Sequence, residues 1–131
     1  MALGLFWQGV KQFNRQAFYA CHDTLEALWM EAPEWDRNFY QGILQIAVGC
    51  HHLSNHNWRG AVILLGEGMG RLQAYEPSYH GIDLERLLAD SAQLLEALHQ
   101  AGEAGVAQCA RQLAGGEGPG APQIVPVATQ A

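Results

Sequence analysis

The chain has 131 residues, which is enough for one domain with a single hydrophobic core and too short for two. Its formal net charge is −6 and Lys11 is its only lysine, so it lacks the positive surface that nucleic-acid binding requires. Charged residues make up 15% of the chain, well below the usual share of about a quarter, which predicts extensive burial or a surface for self-association.

The sequence contains no signal for a membrane or for secretion. Two glutamines interrupt the longest apolar run, FYQGILQIAVGC, which is also too short to span a bilayer. The N-terminal stretch MALGLFWQGVKQ lacks the basic leader and the cleavage site of a secretory signal. Cys21, Cys50 and Cys109 are odd in number and widely separated, which favours reduced, buried thiols over disulfides. We therefore expect a cytoplasmic protein without a membrane partner.

Apolar residues at helical intervals predict three helices in the first half of the chain. The first contains Leu3, Phe6, Trp7, Val10 and Phe13. Asn14 can cap a second helix that runs to about Glu31, because its side-chain oxygen can accept a hydrogen bond from a free backbone N–H. Pro33 prevents that helix from continuing, and Asp36 can cap a third. Residues 39–50 are apolar nearly all round, which is typical of a central helix that other helices surround.

The second half predicts two further long helices. Asn57 can cap a fourth helix, which carries an apolar stripe from Trp58 to Tyr75. Glycine destabilises a helix by up to about 1 kcal/mol relative to alanine, so some of the glycines here should permit close contact with a neighbouring helix. These glycines are Gly60, Gly66, Gly68 and Gly70. Ile82 and Asp83 form a hydrophobic staple and cap that open a fifth helix.

These elements predict an all-α fold. A short helix is expected over residues 106–113, no segment of convincing length has strand periodicity, and the short connections favour antiparallel helical hairpins. We expect one domain of about five helices with repeat-like stacking over residues 1–114. Residues 115–131 have the glycine and proline content of a flexible tail.

Polar residues occupy a helix stripe that also carries large apolar side chains. Helical spacing places His22, Glu26 and Trp29 on one stripe of the second helix, beside Leu25. A histidine and a carboxylate that face the core each cost several kcal/mol unless they are paired. The stripe therefore predicts partners for His22 and Glu26 in the interior.

The third helix supplies candidate partners for these two side chains. Gln41, Gln45 and His52 share one stripe of that helix. If the two helices pack antiparallel, His22 approaches His52 and Glu26 approaches Gln45. The sequence thus predicts a buried polar network, whose candidate members are His22, Asp23, Glu26, Gln41, Gln45 and His52.

Two interpretations of this network remain open. It can be a structural hydrogen-bond network that fixes the helix register, without a ligand. It can also line a pocket, with Glu26 and His52 as acid and base or with His22, Glu26 and His52 as metal ligands. The segment around His22 is not the His-Glu-x-x-His zinc signature, because Glu26 stands four residues after the histidine.

Two long segments of the chain resemble the uncharacterised prokaryotic family called domain of unknown function 309. They are FNRQAFYACHDTLEALW and FYQGILQIAVGCHHLSNHNWRGAVILLGEGMGRLQAY, and the resemblance covers about residues 13–88. The hallmark is a His-Glu-x-x-Glu-x-x-Trp segment, a Gln-Gly…Gln…His helix and an Asn-x-x-Gly-Ala helix start. Asp23 stands where the family commonly has glutamate. The motif falls on His22, Asp23, Glu26, Trp29, Gln41, Gly42, Gln45, His52, Asn57, Gly60 and Ala61.

The resemblance implies a small all-α fold of stacked helical hairpins and no agreed biochemical activity. Two hypotheses follow for the function. The first is a non-enzymatic domain, a homodimer or a module that binds a protein partner, with a structural polar network and no metal, cofactor or open cavity. The second is a metal-assisted or acid–base enzyme for an unidentified small molecule, with an accessible cleft at His22, Glu26 and His52. Whether the protein is an enzyme stays undecided at this point.

Overall fold

The computed structural model describes residues 2–127, which form six α-helices and one short β-hairpin. The helices are α1 (Ala2–Asn14), α2 (Phe18–Glu31), α3 (Glu34–Ser54), α4 (Trp58–Leu72), α5 (Leu84–Ala101) and α6 (Val106–Gly115). The strands are β1 (Ser78–Tyr79) and β2 (Ile82–Asp83), which pair antiparallel. The prediction of an all-α fold is confirmed. The hairpin was not predicted, because a strand of two residues is too short to show strand periodicity.

Helix α3 is the centre of the domain, as its apolar composition predicted. Its buried residues include Phe39, Ile43, Ile46, Cys50 and Leu53. It packs against α2 on one side and α4 on the other, and short connections join it to both helices. A helix that is covered on two sides must be apolar over most of its circumference, which is why residues 39–50 carry no charge.

Glycines allow α3 and α4 to approach each other closely. A Cβ atom on Gly68 would lie 2.6 Å from the carbonyl oxygen of Gly42, and one on Gly42 would lie 2.7 Å from Leu72 Cγ. A Cβ on Gly66 or Gly70 would meet nothing within 4 Å. The expectation that some α4 glycines serve helix contact is thus confirmed for Gly68. It also holds for Gly60, where a Cβ would lie 2.9 Å from His52 Cγ of α3, and it does not extend to Gly66 and Gly70.

Two of the predicted helix caps are confirmed. The side chain of Asn57 accepts a hydrogen bond from the backbone N–H of Gly60 at 3.0 Å. The side chain of Asp83 accepts one from the N–H of Arg86 at 3.0 Å. Both residues therefore satisfy an N–H group that the first turn of a helix leaves free.

The other two predicted caps are wrong, because tertiary partners occupy both side chains. Asn14 is the last residue of α1, and its amide forms two hydrogen bonds of 2.8 Å with the backbone of Ile124. Asp36 lies inside the first turn of α3, where Pro33 occupies the capping position. The Asp36 carboxylate accepts a hydrogen bond from the hydroxyl of Tyr79 instead.

Part of the segment predicted as a tail packs onto the domain. Ile124 is buried, the carbonyl of Val125 accepts from the N–H of Asp83 at 2.9 Å, and the N–H of Val127 donates to Gly81 at 2.9 Å. The structure differs here from a flexible tail that begins at residue 115, because the free edge of β2 offers backbone groups to an extended segment. The folded domain therefore reaches past residue 114, and residues 128–131 lie outside the described part.

Within residues 2–127, no helix combines the length and the apolar character that crossing a membrane requires. The longest helix, α3, has 21 residues, but charged side chains in its first turn and two histidines in its last turn interrupt its apolar surface. The described helices thus supply no membrane-spanning segment.

Candidate functional site

Glu26 lies at the surface, so the prediction that it faces the core is wrong. Its side chain is 56% exposed, whereas Leu25 beside it is buried. Successive residues on a helix point about 100° apart, so the core-facing stripe of α2 passes through Leu25 and Leu28 and leaves Glu26 at its margin. Because the carboxylate stays in contact with water, it has no desolvation cost and needs no partner in the interior.

His22 stands at the same margin of α2 and pairs with its own helix. Its side chain is 26% exposed, with Nδ1 3.2 Å from an Asp23 carboxylate oxygen and Nε2 3.5 Å from one of Glu26. The Tyr19 ring lies beside both His22 and His51, at centroid distances of 5.7 and 5.4 Å. The early part of α2 thus meets the late part of α3 as predicted, but the register brings His51 to this edge.

Gln45 is buried and takes its partners from α4 instead of α2. Its side-chain oxygen accepts a hydrogen bond from Arg71 Nε at 3.0 Å, and its amide nitrogen donates to Glu67 at 3.3 Å. Arg71 also donates to the side chain of Asn38 at 2.6 Å. The predicted contact of Gln45 with Glu26 is therefore replaced by a polar cluster between α3 and α4.

His52 belongs to the turn between α3 and α4. Its Nδ1 lies 3.3 Å from the amide nitrogen of Asn57, and a Cβ on Gly60 would lie 2.9 Å from the ring carbon Cγ. Ala61, the next residue, is fully buried against α3. These four motif residues form one compact corner, so a structural role accounts for their spacing.

The residues proposed as metal ligands are not brought together. Among residues 2–127, no group of three or more histidine, cysteine, aspartate or glutamate side chains has a metal-binding arrangement. His22 and Glu26 share the surface of α2, while His52 contacts Asn57 at the far side of α3. The prediction of one buried network that joins these residues is therefore wrong. Its predicted members lie in separate local clusters instead.

Several motif residues line an open groove between α2 and α3. This α2–α3 groove has a volume of about 300 Å³ and is lined by Glu26, Trp29, Met30, Gln41 and Leu44. Trp29 and Leu44 are half-buried, whereas Met30 is 64% exposed. The groove therefore combines an apolar floor with one carboxylate and one carboxamide at its rim.

A second depression continues the groove toward the start of α3. It shares Trp29 and Gln41 with the groove and adds the charged side chains of Glu34 and Arg37. The guanidinium of Arg37 lies 5.0 Å from the centroid of the Trp29 ring, within the range of a cation–π contact. This end of the surface thus carries both signs of charge beside an indole.

The two cysteines adjacent to histidines in sequence are interior residues. Burial raises the pKa of the Cys21 thiol to about 12, and burial together with the neighbouring Cys21 raises the pKa of Cys50 to about 12. A thiol is nucleophilic only after it ionises, so both groups are unreactive near neutral pH. The prediction of buried, free thiols is confirmed for Cys21, Cys50 and Cys109.

Sequence reasoning missed a polar cluster that joins α3 to the hairpin. Oδ1 of Asp36 accepts a hydrogen bond from the Tyr79 hydroxyl at 2.5 Å and lies 3.1 Å from Nε2 of His80. The hydrogen bond to Asp36 is the main reason why the pKa of Tyr79 rises to about 12. More than 40 residues separate Asp36 from these partners, so spacing along one helix does not reveal the contact. The local sequence feature that indicates the hairpin turn is the His80-Gly81 pair.

The comparisons with known proteins concern the helical half that contains the motif. The sequence model of the family described as "Domain of unknown function (DUF309)" matches residues 6–64. Over these residues, which are fewer than half of the chain, the sequence is similar to the DUF309 family. The match confirms the resemblance noted above, begins before residue 13 and ends within α4.

A curated relative from Bacillus subtilis (strain 168), named "Uncharacterized protein YpuF", is similar to part of the chain. The identity is 34% over 74 residues, which cover 54% of this chain and 42% of the relative. The chain thus spans less than half the length of that protein. No solved structure matches the chain. The similarity to DUF309 and to this relative carries no statement of a biochemical activity.

Proposed function

We propose that this domain is a non-catalytic association module that forms a homodimer through the α2–α3 groove. The observation that supports this proposal most strongly is the exposure of the groove. Glu26, Trp29 and Gln41 fall on the family motif, yet they line an open surface instead of filling the core. Polar and aromatic motif residues at a surface are more readily explained by recognition than by packing.

The composition of the groove suits a contact between proteins. Met30 is a large apolar side chain that is exposed at the groove, and Trp29 and Leu44 supply further apolar lining. Aromatic residues and methionine are enriched at the centres of protein interfaces, while charged side chains concentrate at the rim. The low share of charged residues in the whole chain supports the same interpretation.

The charges around the groove favour a second copy of this chain as the partner. In a twofold dimer the same patch meets itself, so it must present complementary groups. Glu26 and Glu34 lie on this face beside Arg37. A face with both signs can pair with its own copy, whereas a face of one sign would repel it.

Light scattering after size-exclusion chromatography tests the proposal. The wild-type chain is expected to have twice the mass of one chain, with a monomer fraction that grows on dilution. Met30→Glu places a charge at the lip of the groove and should shift the protein to the monomer without loss of helical circular dichroism. A charge that is desolvated in an interface without a partner is costly, which gives the expected direction.

Ile63→Glu is the matched control variant. Ile63 is a large apolar residue of α4 that is also exposed, at 48%, and it does not line the α2–α3 groove. This variant should remain a dimer. A monomeric wild type at every concentration, or a dimer that Ile63→Glu disrupts and Met30→Glu does not, would contradict the proposal.

The acid–base hypothesis has no comparable support. Glu26 and His52, its proposed acid and base, lie in different local clusters, and His22 already contacts two carboxylates.

We also propose that the protein acts in the cytoplasm. The three free, buried cysteines support this, because such thiols are typical of a reducing compartment.

A further inference from the structure

The turn of the β-hairpin places a histidine next to a buried carboxylate of α3. His80 and Gly81 both have positive φ angles, 49° and 78°, and connect β1 to β2 as a two-residue turn. Such turns favour Asn-Gly or Gly-Gly, and histidine also adopts the left-handed conformation more often than most residues. The turn holds the imidazole of His80 beside the start of α3.

The imidazole of His80 reaches the carboxylate of Asp36, which is only 7% exposed. Tyr79 donates to the same oxygen, Oδ1, so this atom has two partners. Among residues 2–127, no lysine or arginine pairs with this carboxylate, and no hydrogen bond reaches Oδ2. Asp36 therefore keeps one carboxylate oxygen that can accept from a further donor.

A cavity of about 480 Å³ opens beside this cluster, between α1, the start of α3 and the hairpin turn. We call it the hairpin cavity. Its apolar wall comes from Leu3, Phe6 and Trp7, and its polar side from Asp36, Tyr40 and His80. The Tyr40 and His80 rings stack with centroids 6.0 Å apart. The cavity is large enough for a small organic molecule and has the usual combination of apolar walls with few convergent polar groups.

A neighbouring cavity of about 600 Å³ meets the hairpin cavity at Asp36 and Tyr40. It extends between α1 and α2, and its charged lining side chains are Glu31 and Asp36, both acidic. The two cavities therefore present carboxylates and aromatic faces, and neither is lined by a lysine or an arginine. Carboxylates and aromatic rings together are the groups that hold organic ammonium ions in proteins.

We propose that the hairpin cavity binds a small organic cation, an ammonium group carried on an apolar or aromatic body. The ammonium group pairs with Asp36, and its apolar body lies against Phe6 and Trp7. His80 Nε2 faces Asp36, and the other ring nitrogen, Nδ1, does not take part in this contact. This site is separate from the α2–α3 groove, so it can exist whether or not the protein dimerises.

The same hydrogen bonds would also exist if Asp36 only fastened the hairpin to α3. A fastening role makes the carboxylate a structural acceptor and gives no preference for cations. Binding of a cation in the cavity, and its dependence on ligand charge, is therefore the property that separates the two roles.

Titration with phenethylammonium, followed by ¹H–¹⁵N spectra, tests the proposal on the full chain. The indole N–H of Trp7 and the backbone amides of His80 and Gly81 should shift with saturation, while the amides of α6 stay fixed. The neutral analogue 2-phenylethanol and the anion 3-phenylpropionate have similar bodies and are expected to bind about tenfold more weakly or not at all.

Asp36→Asn keeps the size of the side chain and removes its charge, so it should weaken phenethylammonium binding about tenfold or more. Glu96→Gln, which removes an exposed carboxylate of α5, is the matched control and should bind like the wild type. Equal affinity for the three probes, or shifts that avoid Trp7 and the hairpin, would overturn the proposal. The comparison of probes on the wild-type chain stays decisive if Asp36→Asn does not fold.

Discussion

At the scale of single residues, burial and hydrogen bonding distinguish groups that the sequence alone makes look alike. Glu26 and Asp36 are both carboxylates on helices with apolar neighbours, yet Glu26 is exposed and Asp36 is buried with two donors. The sequence analysis selected Glu26 because it shares a stripe with Leu25 and Trp29. Successive residues of a helix point about 100° apart, so periodicity cannot decide whether a residue at the edge of an apolar stripe faces the core or water.

Removing the Glu26 carboxylate should leave the monomer fold intact. Glu26→Ala is expected to change the free energy of unfolding by less than about 0.5 kcal/mol, because exposed side chains contribute little to stability. The change is best measured by urea denaturation in the Met30→Glu background, where dimerisation does not contribute. A loss of about 1 to 3 kcal/mol would instead support a buried network around His22.

Ser91 should be replaceable by alanine with a gain in stability. Its side chain is fully buried in α5, and within residues 2–127 its hydroxyl has no hydrogen-bond partner. An unpaired buried hydroxyl costs about 1 kcal/mol or more, so Ser91→Ala should raise the free energy of unfolding by about that amount. Thr24→Val is the control, because Thr24 donates to Gln12 at 2.7 Å and its loss should destabilise by about 1 kcal/mol.

At the scale of elements, most of the helices could be predicted and the tertiary contacts of their ends could not. Apolar periodicity located α1 to α6, and two side-chain caps, Asn57 and Asp83, were correct because they act within three residues. Asn14 and Asp36 have equally good capping chemistry, but their partners lie more than 40 residues away in sequence. A distant partner in the fold can bind a side chain that could otherwise cap a helix. The local sequence does not show which of the two partners the side chain takes.

The close contact between α3 and α4 predicts opposite effects for two glycines of one helix. Gly68→Ala places a Cβ against the Gly42 carbonyl and should destabilise the fold by about 2 kcal/mol. Gly66→Ala meets nothing within 4 Å and should stabilise it by about 0.5 to 1 kcal/mol, because alanine favours the helix. Thermal melts of both variants check this, and equal melting temperatures would contradict a close contact at Gly68.

At the scale of the whole molecule, the buried thiols make stability depend on alkaline pH. The pKa values of Cys21 and Cys50 rise from 9.0 to about 12 on folding. Above pH 9 the unfolded chain loses thiol protons that the folded chain keeps, so stability falls as the pH rises toward 12. Each thiol contributes about 1.4 kcal/mol per pH unit to this loss.

Urea denaturation between pH 8 and 11 measures this pH dependence. Cys50→Ala should make the decline with pH less steep, because one of the two ionising groups is gone from the unfolded chain. The folded wild type should also resist a thiol reagent at neutral pH. Rapid modification of Cys21 or Cys50 without unfolding would contradict the interior position of these groups.

The packing of the helices explains why the residues that were predicted to form one site lie apart. The antiparallel order of α2 and α3 was predictable, but its register placed His51 beside Tyr19 and turned Gln45 toward α4. The residues of the family motif therefore serve several different places. These are the surface of α2 around His22, the α2–α3 groove, the α3–α4 contact at Gly42, the Gln45 cluster and the corner at His52. The segment at residues 123–127 docks through backbone groups, for which composition carries no signal.

We propose that two copies of the chain meet through the α2–α3 groove. A spin label on Glu26→Cys in a Cys109→Ala background tests it directly, because Cys21 and Cys50 are fully buried and their raised pKa values keep them unreactive. Electron–electron dipolar spectroscopy should give one short, narrow distance between the two labels, and a longer one for labels on Ile63→Cys. Absence of dipolar coupling for Glu26→Cys at concentrations where the protein is fully associated would contradict the claim.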